Sequence, residues 1–262
     1  MRLSEIRIDR GTVDGYRYVA IRLPRRMRTF ASTILNGGLG ETDSVLMVQV
    51  PLHYDHAAPV EHLRTMLREL RLPEDTACFM TAAELDKAFC AKGVEHNGSQ
   101  AVALVSAGIS NSIRAGEASR EGSVPHRQVG TINIVAVTDR PLADCGLANA
   151  IMTITEAKAA ALQDHQIPGT GTTSDAVLIA CPLEGERCLW SGTGSDHGIA
   201  LAMAVRSALG ESIVNWKGAN GNSVPFLRHL AIRGVTFDDM WAAVKEMEER
   251  RVGKECQSVC RS

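Results

Sequence analysis

The stretch that most constrains the fold runs from Gly130 to Pro182: GTINIVAVTDRPLADCGLANAIMTITEAKAAALQDHQIPGTGTTSDAVLIACP. An apolar, β-branched run suited to a strand turns at DRPLAD, where Pro141 fixes its own φ, and a helix is expected from about Leu147. A loop of Gly and Thr then leads into a second apolar strand. Strand, helix and strand in succession place the chain in the α/β class.

Further strands are expected at 16–23, 45–51 and 101–107, beside those at 130–138 and 175–181, and APVEHLRTMLREL carries apolar residues at helical spacing. These elements predict an α/β protein with a mixed β-sheet covered by helices. Because several strands come early in the chain, a layered sandwich is the alternative to one doubly wound sheet. A hydrophobic content of 45% over 262 residues is ample for a sizeable core.

The formal net charge is −2, with arginines scattered along the chain, which argues against a nucleic-acid partner. The one dense basic run, Arg22 to Arg28, reads as a solvated strand end. No apolar run approaches the ~20 residues of a membrane span, and the first residues lack a signal peptide's apolar centre, so a cytoplasmic protein is expected. Seven cysteines without a CxxC pair indicate neither a disulfide framework nor a four-thiolate zinc site.

Counting 100° per residue from Leu147, Lys158 falls in an apolar stripe with Ile151, Ile154, Ala161 and Leu162. Glu156 lies on the opposite, smaller and more polar face with Asn149, Thr153 and Ala160. A lysine in such a stripe must snorkel or find a carboxylate. The following loop, PGTGTTSD, lacks the Gly-Lys-Ser/Thr ending of a phosphate loop and enters a strand, which argues against an ATPase. A second loop of the same kind, WSGTGSDHG, offers Ser195 or Asp196 as N-cap of the next helix. Together the two loops are expected to present amides and hydroxyls to one ligand.

Asn36, Gly37 and Gly38 suit either a turn or a ligand loop, and Asn111 and Arg114 occupy a loop at a strand end, a usual place for binding groups. Thr81 and Glu84 form a capping-box pattern. His53, Asp55 and His56 lack an identifiable third ligand, so no metal site is assigned.

Six motifs, LNGG, AGISNSIRAG, GTINIVAVTDRPL, TEAKAAAL, GTGTTSDAVLIAC and SGTGSDHG, follow in this order within about residues 20–210 and resemble those of the adenosylcobinamide amidohydrolases of corrinoid salvage. Thr173-Ser174 stand where the family pattern has Gly-Thr, and Ser195-Asp196-His197 where it has Thr and an apolar or basic residue. The resemblance implies hydrolysis of the amide that joins aminopropanol to the corrin ring's side chain. The products would be adenosylcobyric acid and 1-aminopropan-2-ol. The corrinoid is then substrate rather than cofactor; a catalytic metal and a homo-oligomer stay open.

Amide hydrolysis needs a nucleophile or activated water, donors for the oxyanion and an acid for the departing amine. On that chemistry Glu156 is the candidate base, with Asp175 as its rival, and Lys158 or His197 steadies charge or protonates the amine. The loop from Thr170 to Asp175 supplies oxyanion donors. Asn36, Gly37, Gly38, Asn111, Arg114, Thr170, Thr172, Thr193 and His197 are the expected substrate contacts. Two alternatives remain: a corrinoid-binding module without hydrolysis, and a self-processing amidase of the ornithine-acetyltransferase type, which frees a Ser or Thr by backbone cleavage.

Residues 1–210 are expected to carry this domain and 211–251 to add a loop and helix packed on it through Met240, Trp241 and Val244, with Thr236 as N-cap. Residues 252–262 read as a tail foreign to the fold.

Overall fold

In the computed structural model, which describes residues 5–51, 54, 57–117, 130–220, 235–236 and 238–246, the longest strand, β2 (Tyr16–Ala31), joins two halves of one eight-stranded sheet. Its first residues pair antiparallel with β1 (Arg7–Val13), and residues 28–31 pair antiparallel on the same edge with β8 (Ala176–Cys181). The other edge pairs with β3 (Gly38–Gln49), apart from a register shift between Arg22 and Met27. Pro24 lies in that break, where a residue without an N–H removes no ladder bond. The basic run from Arg22 to Arg28 is thus a mid-strand bulge and not the strand end expected. Its charges are answered locally: Arg22 by Asp9, Arg26 by Glu41 and Asp75, Arg28 by Asp144.

From β3 the sheet continues in parallel to β4 (Ala77–Thr81). From β8 it continues in parallel to β7 (Ile132–Thr138), then antiparallel to β6 (Ser99–Ala107) and β5 (Phe89–His96). Successive side chains of a strand point to opposite faces, and that alternation sets the layers. Val19, Ile21, Met47 and Phe79 of one half meet Val102, Leu104, Val135 and Leu178 of the other in one buried cluster. The outer face of the first half, with Ala20, Leu46 and Val48, is covered by Leu63, Met66 and Leu67 of α1 (Pro59–Glu69). The outer face of the second, with Ala103, Val105, Ile134 and Ile179, lies under α3 (Asp144–Asp164) and α4 (Asp196–Asn220). The result is a layered sandwich of helix, sheet, sheet and helix. Burial on both faces explains why the central strands read as unbroken apolar runs.

Helix α3 is the crossover between parallel β7 and β8 and begins three residues before the expected Leu147. The capping box at Thr81 and Glu84 does not form. Thr81 Oγ1 instead accepts the Ala83 N–H, only a single turn, α2 (Leu85–Ala88), follows, and the chain enters β5 at Phe89. Helix α4 runs unbroken through residue 210, where a domain boundary was expected. Thr236 caps the helical stretch at 238–246: its hydroxyl accepts the Asp239 N–H while the Asp239 carboxylate accepts from Thr236. Trp241 and Val244, expected to be packing residues, are exposed. His53, Asp55, His56 and residues 252–262 lie outside the described residues. Among the described residues no group of three or more His, Cys, Asp or Glu is placed to hold a metal, and no helix is long and apolar enough to cross a membrane.

Phe79 is 1% exposed at the centre of the inter-sheet cluster. Phe79→Ala is expected to cost about 3–5 kcal/mol in chemical denaturation, the range for deleting a buried aromatic ring. A cost below about 1 kcal/mol would mean that the two halves do not pack there.

Candidate active site

Lys158 resolves its place in the apolar stripe of α3 by reaching across to the loop before β8, where Nζ meets Asp175 Oδ2 at 2.5 Å. Each side chain is 9% exposed. Asp175 Oδ2 also accepts the Thr172 N–H (3.0 Å), and Oδ1 accepts the Ile132 N–H (3.0 Å) and the Thr172 hydroxyl (2.5 Å). Four donors on one carboxylate tie α3, the Gly/Thr loop and the start of β7 together. A Cβ on Gly171 would lie 2.2 Å from Asp175 Oδ2 and 2.6 Å from Lys158 Nζ, so the loop needs glycine there. With both oxygens engaged, Asp175 is built in as an anchor.

The loop after β6 lies against this one. The Ile113 N–H reaches Gly171 O, the Thr170 N–H reaches Ile113 O, and Thr170 Oγ1 accepts the Ala115 N–H at 2.9 Å. Asn111 Nδ2 donates to Thr173 Oγ1 at 2.8 Å. Beneath them the hydroxyls of Thr131 and Ser174 are 2.7 Å apart. Thr131 was not singled out from sequence, since it reads as the start of a strand, and Ser174 was noted only as a departure from the family pattern. Polar Thr131 and Asn133 at alternate positions of an otherwise apolar run were the available signal.

On the opposite side of α3, Glu156, Ala159, Ala160 and Gln163 form one wall of an open cleft of about 620 Å³. Arg114, Gln166, Pro168, Gly169 and Thr170 complete its lining. Glu156 and Arg114 are exposed, and no ion pair engages either of them among the described residues. Glu156 and Lys158 therefore serve different sides of the helix, as the helical spacing predicts. Thr153, placed with Glu156 on the polar face, is instead 2% exposed and donates to Ser191 O.

That bond, with Ser191 N–H to Asn149 Oδ1, holds the second Gly-Thr loop beside the N-terminal half of α3. Ser195 caps α4, its hydroxyl accepting the Gly198 N–H, and His197 Nε2 contacts Trp190 O at 2.6 Å. Five residues along α3 from Thr153, about 8 Å at 1.5 Å per residue, Lys158 holds the first loop through Asp175. Thr193 and His197, expected with the first loop around one ligand, are not among the residues lining the Arg114 cleft. Asn36, at φ 56°, donates to Glu74 O and Thr76 O, and Gly38 has φ 82°, so this segment is built as a turn. A Cβ on Gly37 would lie 2.6 Å from Thr33 O.

The ion pair makes an ordered prediction. Asp175→Asn leaves the Lys158 ammonium without its carboxylate and is expected to cost about 3–5 kcal/mol. Lys158→Met leaves Asp175 three donors and should cost distinctly less. Urea unfolding of the two variants checks the order, and the reverse order would refute Asp175 as the organising anchor.

Residues 3–221 match the family model described as adenosylcobinamide amidohydrolase. A Halobacterium salinarum protein named adenosylcobinamide amidohydrolase is 32% identical over 213 residues, covering 79% of this chain and 87% of that one. A Methanosarcina mazei protein of the same name is 30% identical over 164 residues, 63% of this chain and 72% of that one. Among solved structures, that of the PH0078 protein from Pyrococcus horikoshii OT3 aligns with a TM-score of 0.45 at 14% identity, over 80% of this chain and 84% of that one. With the family model spanning every loop that builds the cleft and its anchor, the chain belongs to the adenosylcobinamide amidohydrolase family.

Proposed function

We propose that this protein hydrolyses the amide between the corrin ring's side chain and aminopropanol in adenosylcobinamide, giving adenosylcobyric acid and 1-aminopropan-2-ol for cobinamide salvage in the cytoplasm. The observation that carries this reading is the family match over residues 3–221, which spans the cleft and both loops that wall it. The cleft suits part of a large substrate rich in carboxamides: Arg114 presents guanidinium donors, Glu156 carboxylate acceptors, and the Thr170 hydroxyl lies beside them. Glu156 stands exposed in the cleft wall, and we assign its carboxylate to accepting from the substrate there.

Purified protein incubated with adenosylcobinamide is expected to release 1-aminopropan-2-ol and adenosylcobyric acid, followed by mass spectrometry. Corrinoid bound without release would point to a binding module instead. Glu156→Gln is expected to raise KM by roughly tenfold, the loss of one charge-assisted hydrogen bond, with kcat nearly unchanged. A fall in kcat of about 10²-fold or more would return Glu156 to the role of base.

A further inference from the structure

We propose that the hydroxyl of Thr131 is the nucleophile of this hydrolysis, with Ser174 as its proton relay and Asn111 as the clamp on the amide; the proposal rests on the amide-hydrolysis reading above. Ile132, Ile134 and Ala136 of β7 face α3 and α4, whereas Val135 and Val137 face the opposite half of the sheet. By the same alternation Thr131 points between the sheet halves, at the end of the sandwich. It is 5% exposed, and its Oγ1 lies 2.7 Å from Ser174 Oγ. Ser174 is exposed, so the hydroxyl pair links the buried Thr131 to the surface.

Asn111 supplies the second, independent observation. It is 9% exposed, yet its Oδ1 has no hydrogen-bond partner among the described residues. That oxygen lies 2.3 Å from where a Cβ on Gly130 would stand, so the carboxamide sits directly against the peptide entering Thr131. Two more buried oxygens without partners among the described residues, Asn133 Oδ1 and Ser106 Oγ, belong to residues paired across β7 and β6. A buried acceptor left unsatisfied costs about 1–3 kcal/mol, and three from one end of a sandwich suit a site that receives N–H or O–H donors. A secondary amide and a hydroxylated amine leaving group carry those donors.

The chemistry closes with these groups and water. Thr131 Oγ1 forms a bond to the amide carbonyl carbon as its proton passes to Ser174 Oγ, whose own proton passes to the amide nitrogen. The C–N bond breaks, the amine leaves with that proton, and an acyl ester remains on Thr131. Water then adds to the ester carbon, its proton passes to Ser174, the proton of Ser174 returns to Thr131 Oγ1, and the carboxylic acid departs. One amide and one water are consumed, and no oxidant or reductant enters.

The test uses two acyl donors on the full chain: adenosylcobinamide, and p-nitrophenyl acetate as a probe that does not depend on the corrinoid. Wild-type protein is expected to carry an acetyl group on the peptide containing Thr131 and to release aminopropanol. Thr131→Val, close in shape but without the hydroxyl, is expected to lose the acetyl group and about 10³-fold or more of kcat/KM. Thr131→Ser should retain both, and circular dichroism with urea midpoints verifies that each variant is folded. Acetylation of Thr131 without release of aminopropanol would sink the substrate reading and keep the nucleophile. Release of aminopropanol by folded Thr131→Val within tenfold of wild type, or acetylation only at another residue, would overturn the proposal. If Thr131→Val does not fold, Thr131→Ser decides through the site of acetylation itself: an ester at position 131 supports the nucleophile, and its absence with turnover retained overturns it.

Discussion

The buried pair of Lys158 and Asp175 is the constraint on which the rest of the site depends. Removing an ammonium and a carboxylate from water is costly, and here the cost is offset by mutual attraction and by three more donors on the carboxylate. The geometry this demands explains glycine at 171 and a hydroxyl at Thr172. In the turn just before Asp175, Ser174 brings its hydroxyl within 2.7 Å of that of Thr131.

The sandwich supplies the other half of that arrangement. Strand β2 serves both halves of the sheet and loses register around Pro24, where the chain can bend without forfeiting a donor. Folding the sheet on itself buries Phe79 and Met47 against Leu104 and Val135 and closes the interior along most of its length. At the end where β7 and β8 begin, polar residues replace apolar ones on the inward face. There Thr131, Asn133 and Ser106 stand on the positions that Val135, Val137 and Leu104 fill further in.

The elements of the second half were legible because each carries a strong signal of its own: unbroken apolar strands, a long helix with a lysine in its stripe, and loops of Gly and Thr between them. Lys158 announced its need for a carboxylate, and helical spacing separated it from Glu156. What was not legible depended on partners distant in sequence. The bulge at Arg22 to Arg28 is decided by which strands flank β2, and the single turn of α2 by the early start of β5 at Phe89. That Thr193 and His197 do not line the Arg114 cleft follows from the bonds of Asn149 and Thr153 to Ser191, which loop composition does not encode. Thr131 was passed over because a threonine opening a strand is ordinary until Ser174 and Asn111 are seen beside it.

The departures of this chain from the family pattern acquire a meaning in that setting. The pattern has Gly-Thr before the aspartate, and here the residues are Thr173 and Ser174. The position next to Asp175 keeps a hydroxyl, which is what contact with Thr131 requires. The position before it gains one, and Thr173 Oγ1 uses it to accept from Asn111 Nδ2 at 2.8 Å. That bond fixes the rotation of the Asn111 carboxamide and directs its Oδ1 toward Gly130. A glycine at 173 would remove that bond and leave the carboxamide free to turn.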